Sequence, residues 1–547
     1  MPESAPRGPV PVAAVVLLAL AWLLPGLTGH DPWKQDETYI FGIVRHMLSS
    51  GDWVVPLNAG VPFMEKPPLY YWVASLLART LQGILPAFDA ARLASGLFSA
   101  LTLAFTALAA REAWGPGSGR LAVLGLTGCF GLLFESHIMI TDVPMLTGYT
   151  IALYGLLRSR THAVQGGLWL GSGAGIGFLA KGLLVPGAIA VTGVLLPLLF
   201  AAWRTPRLPL VIACAMLAVL PWLVIWPVAL WLRSPELFYQ WFWLNNLGRF
   251  LGFSVAQLGA DSSTWFWPRT LPWFGWPLWP LAVLTLWRQR ASFGRDPGLQ
   301  IGSVAFAVYL TVMQVSASAR TAYGLPLLIG LDLLAIPAAT CLPRTLERAI
   351  DWLARGLFAP AVAFSWLVWA IMIRTGHPPR WGIPHGLDPN FVMPFHPVAV
   401  TLALAGTLLW LGSWRSLPRL DARALLSTAS AVTVFWLVFA MLWQPWVDQA
   451  KRFREVFDQA AQALPADYNC VSGLQLGEST RPMFDYYLAR RGIRHTHSDD
   501  PACRARLVDQ WGLRPPATPP GWALVWHGTR PQDDEESFWL YLRRTTH

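Results

Sequence analysis

The chain has 547 residues, of which 54% are hydrophobic and only 13% charged, so it lacks the polar surface that a soluble protein of this size must show to water. Its net charge of +10 needs no nucleic-acid partner, because the basic residues gather beside apolar runs, where anionic lipids attract them. The composition points to a polytopic α-helical membrane protein with membrane lipids as its first partners.

A span needs roughly 20 mainly apolar residues. Such stretches recur at 10–28, 92–110, 121–136, 143–157, 166–180, 183–202, 208–231, 268–287, 299–316, 321–338, 356–373, 396–413 and 424–443, which makes thirteen. The first follows Arg7 and has the look of a signal peptide. No small-residue cleavage site separates it from the polar segment near His30, so it reads as a retained span. Lys and Arg stay on the cytoplasmic side of short loops. Placing Arg7, Arg111, Arg120, Arg158, Arg160, Arg204, Arg207, Arg288, Arg290, Arg295, Arg344, Arg348, Arg355, Arg415, Arg419 and Arg423 inside is self-consistent. The long segments 29–91, 232–267 and 374–395 then lie outside, as does the tail from 446, since the number of spans is odd. The expected setting is a bacterial inner membrane, with the functional face toward the periplasm.

Residues 1–445 form the expected membrane domain and 446–547 a small α/β domain. Within loop 29–91, Ile40, Ile43, Val44, Met47 and Leu48 repeat at helical spacing before Gly51, which predicts an amphipathic helix along the membrane surface. A second helix starts after Pro67 and Pro68. The tail alternates helical patterns at 446–463, 480–491 and 503–511 with β-like runs at 470–474, 522–526 and 538–542. Cys129, Cys214 and Cys341 fall in or beside spans as buried thiols. Cys470 and Cys503 stand together in a compartment that permits a disulfide.

Ionisable residues near membrane depth are costly and mark sites. Here they collect at the outer ends of spans: Asp36 and Glu37, Glu65 and Lys66, Asp142, Lys181, Arg249, Arg320 and Tyr323. Of 41 basic residues only Lys34, Lys66, Lys181 and Lys451 are lysines, so Lys66 and Lys181 stand out as places where a compact point charge matters. Each residue has a plainer role open to it: Asp36 and Asp142 as helix caps, Lys181 as a snorkelling side chain, Arg249 as a headgroup anchor, Tyr323 as an interfacial belt residue.

The order of the pieces carries a resemblance. Asp36-Glu37, then Ser50-Gly51-Asp52-Trp53-Val54-Val55-Pro56, then Phe63-Met64-Glu65-Lys66-Pro67-Pro68-Leu69-Tyr70-Tyr71-Trp72 resemble the first periplasmic loop of bacterial aminoarabinose transferases and the wider dolichyl-phosphate-mannose protein mannosyltransferase-like family. Thr141-Asp142-Val143-Pro144, Ala180-Lys181-Gly182-Leu183, Gly248-Arg249-Phe250 and Tyr323-Gly324-Leu325-Pro326 extend it. The resemblance implies the C-type membrane glycosyltransferase fold and transfer of a sugar from a polyprenyl-phosphate donor to a periplasmic acceptor, lipid A, another envelope glycan or protein. It implies catalytic roles for Asp36, Glu37 and Asp142. Lys66, Lys181 and Arg249, with Arg320 and Tyr323 beside them, would bind the donor phosphate. Glu65 would be the ligand of a divalent metal ion, the one cofactor implied. The chain departs from aminoarabinose transferases at Thr38 and Tyr39, where an arginine follows the acidic pair, and at Asn245 and Asn246, where an acidic residue and a histidine precede Arg-Phe.

The implied reaction is an inverting displacement at the anomeric carbon, with cations stabilising the departing phosphate and Asp36 deprotonating or orienting the acceptor. A protein O-mannosyltransferase acting on Ser or Thr shares the Asp-Glu loop. A secondary transporter would place its charges at the midplane in paired broken helices, and the outer-end clustering argues against it.

Overall fold

The computed structural model describes residues 8–254, 263–317, 319–379, 381, 386–416, 420–531 and 533–544; Arg7 and Arg419 of the orientation argument lie outside these. Helix occupies each of the apolar stretches. Among the described residues, six helices are long and apolar enough to cross a membrane: Ala87–Trp114, Leu208–Arg233, Pro297–Val315, Thr321–Thr340, Arg344–Thr375 and Arg423–Leu442. Two stretches expected as single spans are broken. At 121–136, helix Ser118–Thr127 gives way to Phe130–His137 with a bend of 75°. At 268–287, helices Phe266–Phe274 and Leu278–Arg288 are separated at Gly275, Trp276 and Pro277; proline supplies no backbone N–H and disfavours helix in the residue before it.

A stripe of glycines sets the geometry that matters most for the site. A Cβ at Gly148 would lie 2.4 Å from the backbone nitrogen of Gly177, and one at Gly155 would lie 2.3 Å from that of Leu170. Small residues let membrane helices approach backbone to backbone. Helices Asp142–Ser159 and Ala163–Lys181 therefore run antiparallel in tight contact, and the first residue of one meets the last of the other.

The first-loop helix Asp36–Ser50 ends at Gly51 in the left-handed conformation (φ 71°). Ile40, Ile43, Val44 and Met47 are fully buried, as the periodicity predicts. The opposite face is covered too: Glu37, Thr38, Phe41 and Gly42 are also buried. The amphipathic helix expected along the membrane surface is thus present and is covered by protein on both faces. Tail helix Thr480–Arg490 packs on it so closely that a Cβ at Gly42 would lie 2.4 Å from Pro482. A short hairpin, β1 (Leu57–Asn58) and β2 (Val61–Pro62), leads to helix Leu69–Thr80.

The tail builds a five-stranded sheet from β3 (Cys470–Leu474), β4 (Arg494–Thr496), β5 (Ala505–Trp511), β6 (Trp522–Gly528) and β7 (Glu536–Arg543), in the order β4-β3-β5-β7-β6. β4, β3 and β5 are parallel, whereas β7 is antiparallel to both β5 and β6. The helix expected at 503–511 is in fact the central strand β5. Its apolar residues are followed by Asp509 and Gln510, and pairing on both edges with β3 and β7 outweighs local pattern. The expected helix 446–463 is interrupted at Arg452. Cys470 and Cys503 form a disulfide, Cα atoms 4.9 Å apart, tying the start of β3 to the approach to β5.

The tail is anchored by charge as well as packing. Arg454 Nε donates to Asp31 Oδ2 (2.9 Å), to which Tyr487 Oη also donates (2.7 Å). Asp448 accepts the Asp31 backbone N–H and the Trp33 indole at 2.9 and 3.0 Å.

Candidate active site

The ends of several helices, the first loop and the tail enclose a cavity of about 630 Å³. One wall carries Tyr39, Glu65, Lys66, Arg249, Arg320 and Tyr323; the other comes from the tail and carries Gln475, Gly477, Glu478, Asp509, Trp511 and Glu536. A second cavity of about 430 Å³ opens beside it, walled by apolar Leu183, Leu184, Val191, Leu251 and Val312. Glu65, Lys66, Arg249 and Tyr323 line both.

Local structure explains how the cations arrive there. Glu65 and Lys66 sit between the hairpin and the proline-started helix at Leu69. Arg249 follows the π-helical turn Gln240–Gly248. Its Nη1 donates to Glu65 Oε2 at 2.9 Å, and Lys66 Nζ reaches the same oxygen at 3.4 Å. Burial alone would raise Glu65; Lys66 and Arg249 outweigh it and hold the carboxyl down at about 2. Arg249 Nε is buried with no hydrogen-bond partner, an open donor beside the junction of the two cavities.

Lys181 ends its helix at Gly182, whose φ of +77° and 1.5 Å clearance to Asn246 Oδ1 exclude any Cβ. Its ammonium pairs with Asp142 and lies 3.6 Å from the centre of the Tyr323 ring. Asp142 and Asp36 are the first residues of their helices, yet neither helix has a side-chain cap at its N-terminus. Asp36 instead accepts the Tyr39 hydroxyl and faces Arg320 Nη1 at 3.8 Å. It lies behind these two residues, which line the cavity themselves.

Two expectations fail on geometry. Glu37, expected beside Asp36 as a catalytic carboxylate, points the other way. Oε1 accepts Arg92 Nε at 2.6 Å and the Met139 N–H at 3.0 Å, and Oε2 accepts the Trp33 N–H at 3.0 Å. Glu65, expected as a metal ligand, does not fit that part: one oxygen already serves two cations, and among the described residues no trio of His, Cys, Asp or Glu converges on it. The one trio close enough for a metal among the described residues includes the disulfide-bonded Cys470 and Cys503.

Sequence reading missed the whole tail-borne wall. Glu478 lies on the turn from β3 into helix Thr480–Arg490, and Asp509 and Glu536 lie at neighbouring strand ends. Burial, with Glu65 adding, raises Glu478 to about 7; burial and then Glu536 raise Asp509 to about 6. A signal was available: ligands gather at the carboxyl ends of parallel strands, and the β-like run 470–474 preceding a helical pattern marks such an end. Glu135 was also missed. It lies buried in the bent segment after Cys129, inside a stretch read as an ordinary span.

The helical bundle, broken outer segments and capping tail together define a multi-pass membrane protein of the C-type glycosyltransferase fold. The chain superposes on ArnT from Cupriavidus metallidurans bound to undecaprenyl phosphate with a TM-score of 0.65, covering 97% of each chain at 18% identity. The resemblance read from the first loop is borne out by sequence comparison as well. Residues 65–231 match the dolichyl-phosphate-mannose-protein mannosyltransferase family. Similar proteins include an undecaprenyl phosphate-alpha-4-amino-4-deoxy-L-arabinose arabinosyl transferase of Pseudomonas fluorescens, 28% identical over 58% of this chain and 56% of that one. Its counterpart in Edwardsiella ictaluri is 33% identical over 51% of each. The matched region spans little more than half the length of these relatives.

Proposed function

We propose that the protein is a glycosyltransferase that moves a sugar from a polyprenyl-phosphate donor to an acceptor at the periplasmic face of a bacterial inner membrane. The observation that carries this reading is the junction: a polar cavity and an apolar groove share Lys66, Arg249 and Tyr323. A lipid with a charged phosphate between an isoprenoid chain and a sugar needs such a place. The chain would lie along Leu183, Leu184 and Val312, the phosphate at Lys66, Arg249 and Lys181, and the sugar in the polar cavity. The activity of the relatives, transfer from undecaprenyl phosphate, agrees.

Thirteen spans with the tail outside fit the basic residues, several of which bind backbone at helix ends away from the cavity: Arg120 Nη1 donates to the Val10 carbonyl at 2.7 Å and Arg288 Nη1 to that of Cys341 at 2.8 Å. In the reaction, the acceptor oxygen attacks the anomeric carbon from the side opposite the carrier, and negative charge grows on the phosphate as the bond breaks. Lys66 and Arg249 stabilise that charge. Asp36 holds Tyr39 and Arg320, through which it orients the incoming nucleophile. Asp142 keeps Lys181 charged and in place. No step calls on a metal. The match of residues 65–231 to protein mannosyltransferases favours a second reading, with a Ser or Thr hydroxyl as acceptor.

Each charge-assisted phosphate contact is worth roughly 1.5–3 kcal/mol. Undecaprenyl phosphate binding to purified protein in nanodiscs is therefore expected to weaken roughly 10-fold or more in Lys181→Ala and in Arg249→Ala. Unchanged affinity in both variants would remove the basis of the proposal.

A further inference from the structure

Four carboxylates line the larger cavity, and three are engaged. Glu65 is bracketed by Lys66 and Arg249. Glu536 meets Lys34 and Arg530, each at 3.3 Å, and accepts the Thr480 hydroxyl at 3.1 Å. Asp509 accepts the Gly477 N–H at 3.3 Å. The Glu478 side chain makes no hydrogen bond or ion pair among the described residues, while its carbonyl oxygen accepts Asn58 Nδ2 at 2.9 Å, which fixes the backbone against the first loop. It also stands at the point where the sheet changes direction: from β3 the chain moves out to β4, then crosses back to β5 on the other side. Open α/β sheets take their ligands at such points.

We propose that Glu478 is the proton acceptor of the transfer reaction and that the acceptor is an alcohol. The inference rests on the glycosyltransferase reading. As the acceptor oxygen bonds to the anomeric carbon, its proton passes to a carboxylate oxygen of Glu478. The bond from that carbon to the carrier oxygen breaks, and its electron pair leaves on the polyprenyl phosphate beside Lys66 and Arg249. A phosphate acceptor needs no base, whereas a hydroxyl needs one, and Glu478 is a cavity carboxylate that no cation pairs among the described residues. The groups that face Glu478 are Glu65 and Asp36, which raise its affinity for a proton, and Lys66 and Arg249, which lower it. The side chain is open to the cavity, and its partial enclosure there, with these charges, leaves it at about 7, where a general base works best near neutral pH.

The test uses the full chain in nanodiscs, with undecaprenyl-phosphate-linked 4-amino-4-deoxy-L-arabinose as donor and, as acceptor, envelope lipids extracted from cells lacking the protein. In the wild type, kcat/KM should climb tenfold per pH unit and level off near pH 7. In Glu478→Gln the rate should fall on the order of 10²-fold and that rise should vanish, with undecaprenyl phosphate binding unchanged. Glu478→Asp should restore a pH-dependent rise and part of the rate. Three results overturn the proposal: Glu478→Gln with a wild-type rise in rate, Glu478→Gln with impaired carrier binding, or a product whose new sugar sits on phosphate. Normal carrier binding in Lys181→Ala and Arg249→Ala would instead sink the underlying glycosyltransferase reading, whatever Glu478→Gln does.

Discussion

Two groups of charges lie on opposite sides of the first-loop helix, and they are satisfied to different degrees. Beneath it, fully buried Arg92 donates Nε to Glu37 at 2.6 Å, Nη1 to Asp89 at 2.8 Å and to the Leu27 carbonyl at 3.3 Å, and Nη2 to the His30 carbonyl at 3.2 Å. Burial and then Arg92 lower His30 to about 4, so it stays neutral there. On the cavity side each carboxylate has at most a few partners, and among the described residues Arg249 Nε has no hydrogen-bond partner and the Glu478 side chain no hydrogen bond or ion pair. Adjacent Asp36 and Glu37 fall on different sides of this divide. Saturated valence buried in the core marks a charge that holds the fold; open valence facing a cavity marks one that meets a ligand.

The difference can be broken by substitution, with the largest effect expected beneath the helix. Arg92→Ala leaves Glu37 and Asp89 as buried carboxylates without their cation, a loss of roughly 3–5 kcal/mol. Thermal unfolding in detergent should show it, and little folded protein should be recovered. A stable Arg92→Ala protein with reduced turnover would move the hub into the catalytic apparatus.

Asp36 and Glu37 offer the sharpest contrast. Asparagine carries no charge, and Asp36 makes no cap for it to preserve. Asp36→Asn is expected to fold, bind undecaprenyl phosphate and lose about 10²-fold in turnover, the scale of a misplaced nucleophile. Glu37→Gln should do the reverse: reduced stability, with near-normal turnover per folded molecule. If the two variants exchange these phenotypes, saturation is no guide to role in this protein.

Removing the Cys470–Cys503 disulfide should come next in size. A bridge closing a loop of this kind contributes typically 2–4 kcal/mol, and its two ends hold β3 and β5, whose far ends form the cavity wall. Cys470→Ser/Cys503→Ser should lower the unfolding temperature of the tail while leaving undecaprenyl phosphate binding intact. An unchanged unfolding temperature under reducing conditions would argue that the bridge stabilises nothing.

What the sequence made legible, and what it hid, follows the range of the forces involved. Apolar runs and the Asp36, Lys66 and Lys181 positions are local signals, and the structure finds helix in every run and brings Lys66 and Arg249 together. Where a helix breaks, as near Cys129 and Pro277, hydropathy averages over the break and sees one span. Whether a carboxylate is saturated depends on partners far away in the chain: Arg92 is 55 residues from Glu37, and nothing near either announces the other. The tail wall depends on docking across more than 400 residues, as in the Asn58–Glu478 contact, so Glu478 had no local mark beyond the end of a strand. β5 was misread because a central strand flanked on both edges can hold residues that suit a helix.

The smallest expected effect lies in the tail, where Asp485 Oδ1 on helix Thr480–Arg490 faces His495 Nε2 at 3.2 Å and His497 Nε2 at 3.0 Å. Burial would raise Asp485, but the adjacent imidazoles of His495 and His497 hold it at about 2. The Asp485 carboxylate raises His495 against its own burial. The signs follow. Asp485, depressed in the folded state, contributes stability above its unfolded pKa of about 4, and that contribution is lost as pH falls toward 2. His495, raised in the folded state, contributes stability below its unfolded pKa of about 6.5, and loses it as pH rises through the folded value. The pair therefore helps most between about pH 4 and 6.5. Both side chains are partly exposed, so solvent screening keeps the gain to roughly 0.2–1 kcal/mol. In Asp485→Asn the unfolding temperature should drop slightly at pH 5.5 and hardly at all at pH 8. An equal drop at both values would mean that Asp485 acts through packing on the first-loop helix, with its charge irrelevant. A drop confined to pH 5.5 would show that even an outer ion pair follows the same rule of partners and burial that separates Asp36 from Glu37.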